Sequence, residues 1–323
     1  MENTKLLTES DLAKPLVSII LPVYNGEKLI QTCLESLSKQ KFFCFELLLL
    51  DDCSQDNTKV TLANYLNKEK NFPIRFIQSK RQRGFYRSLK ILLKLSRGYY
   101  YLVIGHDDFL DDNYFHQLCL SDGFKSRPAI VAGEIIGITV ENKKQISTFH
   151  LNGGFYNQRY FFTNFFKMNL GSLYCSLLRS DIFGLESYRE IEKKTSKTHP
   201  HYALLKMGFM NDYRMIVHVL SVEKNAKIFS IPEAKYYKGI KEMSLDLNTH
   251  DGRLLNPVNY SIAVFFGLYP LLKSRYYKFR WFSVLYLNIV RSGIGHFIRN
   301  PSILNMKLLV RAIFIIRLKN LSD

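Results

Sequence analysis

The sequence predicts an α/β protein, a doubly wound and mostly parallel sheet followed by a basic, aromatic-rich helical appendage. Short apolar, β-favouring runs alternate with amphipathic segments four times in about 105 residues. Three of those runs end abruptly in loops rich in Asp, Asn and Gly. At the other end, from Leu254 onward, ten Lys and Arg residues stand against one acid, Asp323, among short apolar stretches.

The elements follow in order. Met1–Lys14 is polar, carries Glu2, Glu9 and Asp11, and lacks a signal-peptide pattern, so a cytoplasmic protein is expected. Leu16–Leu21 is a compact β-branched run that breaks at Pro22-Val23-Tyr24-Asn25-Gly26. Lys28–Lys39 places Leu29, Ile30, Cys33, Leu34 and Leu37 at helical spacing. Glu46–Leu50 reads as a second buried strand, ending at Asp51-Asp52-Cys53-Ser54-Gln55-Asp56-Asn57-Thr58. A helix over about 58–67, a strand at Ile74–Gln78 and a helix over about 85–95 come next. The fourth strand, Tyr99–Ile104, ends at Gly105-His106-Asp107-Asp108.

Those last two acids face two readings. Hard divalent cations such as Mg²⁺ or Mn²⁺ take oxygen ligands, often one or two carboxylates completed by substrate phosphates. Open α/β sheets bind ligands just past the carboxyl ends of their strands, where Asp107 and Asp108 fall. Alternatively, the cluster with Asp111 and Asp112 is a solvated turn capping a helix at Tyr114–Leu120. No Gly-x-Gly-x-x-Gly follows the first strand and no P-loop occurs, which argues against a dinucleotide or P-loop site.

Composition limits the classes. The 323 residues carry a formal charge of +17, with 47% hydrophobic residues, enough for a full core. Cys33, Cys44, Cys53, Cys119 and Cys175 show no metal-type pairing and read as reduced, mostly buried thiols. A second basic cluster, Lys80, Arg81, Arg83, Arg87 and Lys90, lies inside the first half.

The order Pro22-Val23-Tyr24-Asn25, then Asp51 to Thr58, then Gly84, then His106-Asp107-Asp108 resembles glycosyltransferase family 2. The resemblance is strong over roughly residues 15–115 and weaker to about 245. It implies the GT-A fold and transfer of a sugar from a nucleotide-sugar donor with inversion. By the same resemblance Pro22 and Tyr24, with Asn25 beside them, would line the base pocket. Asp51 or Asp52 would accept a hydrogen bond from the base edge, and Gly84 would open the next element of the site. Asp107 and Asp108 would stand in the metal motif and bind a divalent cation, Mn²⁺ or Mg²⁺, with the donor's ribose-diphosphate. Gly105 replaces the first acid of the family's Asp-x-Asp. Ser88-Leu89-Lys90 replaces its Ala-Arg-Asn, which leaves Arg81, Arg83, Arg87 or Lys90 to supply charge near the diphosphate.

Farther along, Ile130–Val140 reads as a strand pair broken at Gly133 and Gly137. Asn152–Asn164 reads as a ligand-facing loop, and Ile228–Ile231 as a strand followed by a closing loop, Pro232–Gly239. Inverting transfer needs a general base, and the family's Glu-Asp position falls on Asn211-Asp212 here, making Asp212 the base. Asp181, Glu186, His199 and His201 are fallbacks. Lys238 and Ser244 loosely match residues that grip the diphosphate, although Lys lacks the bidentate geometry of Arg.

In the tail, Ser261–Leu272, Trp281–Val290 and Leu308–Ile316 fall short of the ~18 apolar residues a membrane span requires. Twelve aromatic residues among the basic ones suit an anionic membrane surface, on the inner face of the plasma membrane. Packing on the catalytic domain or a second copy of the chain, a homodimer, is the alternative. Nucleic acid is not expected, because apolar residues outnumber the basic ones there. The division expected is an N-terminal tail (1–14), a catalytic domain (15–250) and a membrane-associating region (251–323). The resulting expectation is a glycosyltransferase of hexosyltransferase type, using a UDP-sugar and acting on a glycan or lipid-linked acceptor in bacterial surface polysaccharide synthesis. A sugar nucleotidyltransferase, or a non-catalytic module binding nucleotide-sugar or membrane, are the rivals.

Overall fold

Strands β1 (Val17–Val23), β2 (Phe45–Asp51) and β4 (Tyr100–Val103) are buried at every position, as strands covered on both faces must be. The computed structural model describes residues 15–42, 45–139, 143–164, 170–193, 215–216, 220 and 226–240. The chain divides into two units, residues 1–190 with 223–241, and residues 191–222 with 242–323. The elements that follow belong to the first unit, apart from the end of one helix. In the second, Met215, Ile216 and Leu220 are buried.

The first unit is built on one mixed sheet, in the order β3 (Ile74–Gln78), β2, β1, β4, β9 (Leu177–Arg179), β6 (Ile130–Thr139), β10 (Lys227–Ile240) and β5 (Phe109–Leu110). Its N-terminal half is wholly parallel: β2 pairs with β1 and with β3 (Ile74–Gln78), and β4 pairs with β1 on the other side. Helices α1 (Ile30–Ser38) and α2 (Thr58–Leu66) make the crossovers in one direction, and α3 (Phe85–Leu95) returns over β1 and β2. Right-handed crossovers therefore put α1 and α2 on one face and α3 on the other. α1 buries the expected Ile30, Cys33, Leu34 and Leu37, and α3 buries Tyr86, Leu89, Leu92 and Leu93, whereas α2 buries only Thr58 and Leu62.

Beyond β4 the sheet mixes directions. β9 (Leu177–Arg179) runs antiparallel between β4 and β6 (Ile130–Thr139), and β6 runs parallel to β10 (Lys227–Ile240). β7 (Gln145–Phe149) flanks β6, while β5 (Phe109–Leu110) and β8 (Gly154–Asn157) flank β10, all antiparallel. Most of the paired register is nevertheless parallel. Helices α4 (Tyr114–Cys119), α5 (Asp122–Lys125), α6 (Gln158–Asn164) and α7 (Leu185–Lys193), with a 3-10 helix at Leu170–Cys175, complete the described elements.

Three expectations change here. β6 is one ten-residue strand. Gly133 does not break it; a Cβ there would lie 2.1 Å from the Ala234 carbonyl oxygen, so glycine permits close pairing with β10. Asn152–Asn164 is a strand and a helix, because its aromatic residues pack on one another and on Phe229. Pro232–Gly239 lies within β10, where a register shift between Ser230 and Lys235 accommodates the proline.

At the N-terminal end of the central strands sits a buried carboxylate that the apolar strand pattern hid. Glu46, on β2, accepts hydrogen bonds from Ser18 Oγ (2.8 Å), the Arg97 amide (2.9 Å) and the Arg97 guanidinium (3.0 Å). Ser18 Oγ in turn accepts the Gly98 amide at 2.8 Å, fixing the turn that launches β4.

Candidate active site

The chain leaves β1 for β2 and β3 on one side and returns to β4 on the other, so β1/β4 is the point where the sheet's winding reverses. Ligand crevices open there, past the carboxyl ends of the strands. The register explains how this one opens. Ladder bonds between β1 and β4 end with the Ile104 amide donating to the Ile20 carbonyl at 3.1 Å. The next donor on that side of β1 is residue 22, a proline with no N–H, so the pairing stops. Tyr24 and Asn25 leave one lip, and Gly105–Asp108 the other. The lips meet at their base: a Cβ on Gly26 would lie 3.0 Å from the His106 ring.

The loops after β1 and β2 are zipped together by hydrogen bonds. The Asn25 amide donates to Ser54 Oγ (3.0 Å), the Gln55 amide to Asn25 Oδ1 (2.9 Å) and the Gly26 amide to Thr58 Oγ1 (2.8 Å). The Glu27 amide reaches Asp56 Oδ2 at 3.1 Å, and the Asn57 side chain returns a bond to Glu27 Oε1 at 2.9 Å. Asn25 and Cys53 adopt left-handed backbone (φ 50° and 66°) to make the fit. Burial works against the Asp56 charge, yet hydrogen bonds from Thr58 and from the Glu27 amide outweigh it and hold the carboxyl below its ordinary value. Ser54, Asp56 and Thr58 therefore shape the lip.

Asp51 and Asp52 also hold backbone. Asp51 is fully buried and accepts from the Ser54 amide (3.0 Å) and hydroxyl (2.5 Å). Asp52 accepts the Arg83 amide through both oxygens (3.0 Å each) and the Gly84 amide at 2.7 Å. That clamp draws the start of α3 to the crevice. Gly84 stands at φ 84°, ψ 153°, a conformation open essentially to glycine alone. Arg87, in the first turn of α3, is exposed, as are Lys80, Arg81 and Arg83.

The two acids of the fourth loop divide. Asp108 is buried, and its Oδ2 accepts from the Gly105 amide (2.9 Å) and the Tyr236 hydroxyl (2.5 Å), its Oδ1 from the Gly239 amide (2.8 Å). Burial, then the Asp107 charge, push its carboxyl above the usual carboxylate range against those hydrogen bonds. Asp107 is half-buried, and no described residue donates a hydrogen bond to its carboxylate. Asp111 shapes the turn instead of capping the helix: its Oδ1 accepts the amide of Asn113, the residue before α4, at 3.0 Å, and no side chain caps α4. Beneath the loop, Cys33 Sγ donates to the Gly105 carbonyl at 3.5 Å; burial, then the charges of Asp108 and Asp107, push that thiol's pKa up.

A divalent cation fits this donor set in one way. Among the described residues no three His, Cys, Asp or Glu side chains converge to hold a metal. Asp107 could hold one together with a diphosphate, the arrangement hard cations take with nucleotides. Asp108, the second acid expected in the metal motif, already accepts three hydrogen bonds.

Lys238 lies on β10, next to Gly239 and so beside the Asp107 loop; a Cβ on Gly239 would lie 2.3 Å from the Asp107 carbonyl oxygen. Of the fallback bases, Asp181 is ion-paired with Arg179 and Glu186 with Arg189, both at the surface. Asp212, Asn211, His199, His201, Ser244 and residues 251–323 lie outside the described residues. Tyr236 was not foreseen. The sequence placed it in a closing loop, 128 residues after the acid it holds, and nothing local signalled the contact.

Comparison with known proteins bears on this geometry. The Escherichia coli chondroitin synthase is 35% identical over 109 residues, 33% of this chain and 15% of that protein. The Staphylococcus aureus poly(ribitol-phosphate) β-N-acetylglucosaminyltransferase TarS is 34% identical over 96 residues, 29% of this chain and 16% of that protein. The matches thus span a small part of these relatives. In structure, TarS 1–349 in complex with UDP superposes with a TM-score of 0.62 at 16% identity, covering 92% of this chain and 78% of that one. The mannosyltransferase PcManGT from Pyrobaculum calidifontis, in complex with GDP-Man and Mn²⁺, gives 0.50 at 11% identity, covering 94% and 80%. These likenesses carry the fold: a mixed, mostly parallel α/β sheet of the kind seen in TarS. Residues 18–184, more than half of the chain, match the profile of Glycosyl transferase family 2. With the β1/β4 crevice and its acid loop, that match places the chain in Glycosyl transferase family 2.

Proposed function

We propose that this chain is an inverting glycosyltransferase that moves a hexosyl group from a UDP-sugar to a glycan or lipid-linked acceptor in bacterial surface polysaccharide synthesis. The observation that carries the reading is the β1/β4 crevice, whose lips are the Tyr24-Asn25 turn and an acid loop with Asp107 uncommitted. The likeness to chondroitin synthase and TarS, and the UDP bound by TarS, support the donor and the pathway class.

In this reading Pro22 and Tyr24 receive the base, and Asp51 or Asp52 meets its edge through lone pairs not spent on backbone amides. Asp107 would hold the cation, which offsets charge on the departing nucleoside diphosphate when bound. Arg87 and Lys238 bring positive charge toward that diphosphate from α3 and β10. Asp212 takes the proton of the acceptor hydroxyl on the face opposite the leaving group, as a single in-line displacement requires. Residues 251–323 dock the enzyme on an anionic membrane surface, at the inner face of the plasma membrane. Among the described residues no helix is long and apolar enough to cross a membrane.

The decisive experiment is release of UDP from a panel of UDP-sugars, with and without Mn²⁺, for the wild-type chain and Asp212→Asn. Turnover by wild type and its loss in the variant are expected. Full activity of Asp212→Asn removes the base, and nucleotide binding without any turnover leaves only a binding module. Co-flotation with anionic but not neutral vesicles checks the membrane reading.

A further inference from the structure

We infer that Tyr236 is a positioning residue: with the Gly239 amide it holds Asp108 in place, so that Asp107 alone is presented to the donor diphosphate and its cation. The inference rests on the glycosyltransferase reading above and assigns the two neighbouring acids different tasks.

The geometry is a clamp from β10. Tyr236 is fully buried, and its hydroxyl donates to Asp108 Oδ2 at 2.5 Å. Three residues on, the Gly239 amide donates to Asp108 Oδ1 at 2.8 Å, and the Gly105 amide closes the loop onto Oδ2 at 2.9 Å. β5, which begins one residue after Asp108, pairs antiparallel with the same stretch of β10, Tyr236 opposite Leu110 and Tyr237 opposite Phe109. Strand alternation turns Tyr237 to the other face, where it stacks on Phe109 with ring centroids 4.8 Å apart. Tyr236 is thereby left to point inward against Tyr114. The Gly239 backbone lies too close to the Asp107 carbonyl for any side chain at 239, so the strand also fixes the loop from outside.

The chemistry of the donor matters. A phenol holds a carboxylate without cancelling its charge, whereas an Arg or Lys at 236 would neutralise the loop. Tyr236 thus engages Asp108 without placing a positive charge beside Asp107, and the Asp108 oxygens are taken by three donors. Partners one step removed from a metal ligand typically set its affinity by ~10- to 100-fold.

The test uses the full chain and calorimetric titration of UDP, at several Mn²⁺ concentrations and in EDTA, with melting temperatures recorded without metal. Tyr236→Phe is expected to weaken Mn²⁺-dependent UDP binding by ~10-fold and to leave binding in EDTA unchanged. Tyr114→Phe, which removes another buried hydroxyl away from Asp108, is expected to change neither. Asp108→Asn is expected to lose less Mn²⁺-dependent affinity than Asp107→Asn. A Tyr236→Phe protein with wild-type Mn²⁺ dependence overturns the inference, whether or not it melts earlier. Should that variant not fold, equal losses for Asp107→Asn and Asp108→Asn overturn it instead. A wild-type chain that binds no UDP under any condition defeats the functional reading itself; normal wild-type binding with an indifferent Tyr236→Phe defeats only the positioning role.

Discussion

The two ends of the central strands treat buried carboxylates in opposite ways. At the N-terminal end Glu46 is paired with the Arg97 guanidinium and has Arg75 at 3.9 Å, so its charge is cancelled within the fold. At the C-terminal end Asp51, Asp52 and Asp108 are held by amides, amide side chains and hydroxyls. No described Lys, Arg or His forms an ion pair with them or with Asp107. The first arrangement is completed by Arg97; the second has no cationic partner among the described residues. The same strands thus carry a structural end and a receptive end, and the distinction lies in which donors were chosen rather than in how many.

Breaking that contrast is experimentally direct. The largest effect is expected at the receptive end, where Asp107→Asn lowers sugar transfer by about 10²- to 10³-fold with little change in melting temperature. At the structural end Arg97→Ala strands the Glu46 charge. Removing one partner of a buried pair costs roughly 3–5 kcal/mol, and the 45% exposure of Arg97 reduces this to about 2–3 kcal/mol. Urea denaturation should show that loss while UDP affinity stays unchanged; a large fall in affinity would contradict the separation of the ends. Gly84→Ala forces a side chain into a glycine-only conformation at about 1–2 kcal/mol, visible as a higher KM for the donor. The smallest effect concerns Asp56, whose folded carboxyl titrates below its unfolded value. Its contribution is present above the unfolded pKa and lost as pH falls through the folded one. Melting curves of wild type and Asp56→Asn should therefore differ at neutral pH and converge in acid.

How much of this was legible depends on range along the chain. The four alternating strand–helix units are readable because each draws on neighbouring residues: the β2 stretch and the α3 stripe match their expected bounds to within a residue or so. The carboxyl-end loops are legible as a site but not in their division of labour. Ser54, Asp56 and Thr58 are only part of a polar loop in the sequence, and folding reveals that they bind the Asn25–Glu27 loop. Asp107 and Asp108 are equivalent in sequence and diverge because Tyr236 and Gly239 arrive from a distant strand. Gly133 reads as a break until the Ala234 carbonyl beside it explains the missing side chain. Glu46 is hidden because its surroundings are apolar in sequence and its cationic partner lies 51 residues away.

Pro22 carries a consequence of its own. An ordinary residue there would offer an amide to the Ile104 carbonyl and let β1 and β4 pair one rung further, toward the lips. The imino acid acts as a stop in a zipper, setting how far the two halves of the sheet close. Changing residue 22 would thus tune how far apart the two lips of the crevice stand.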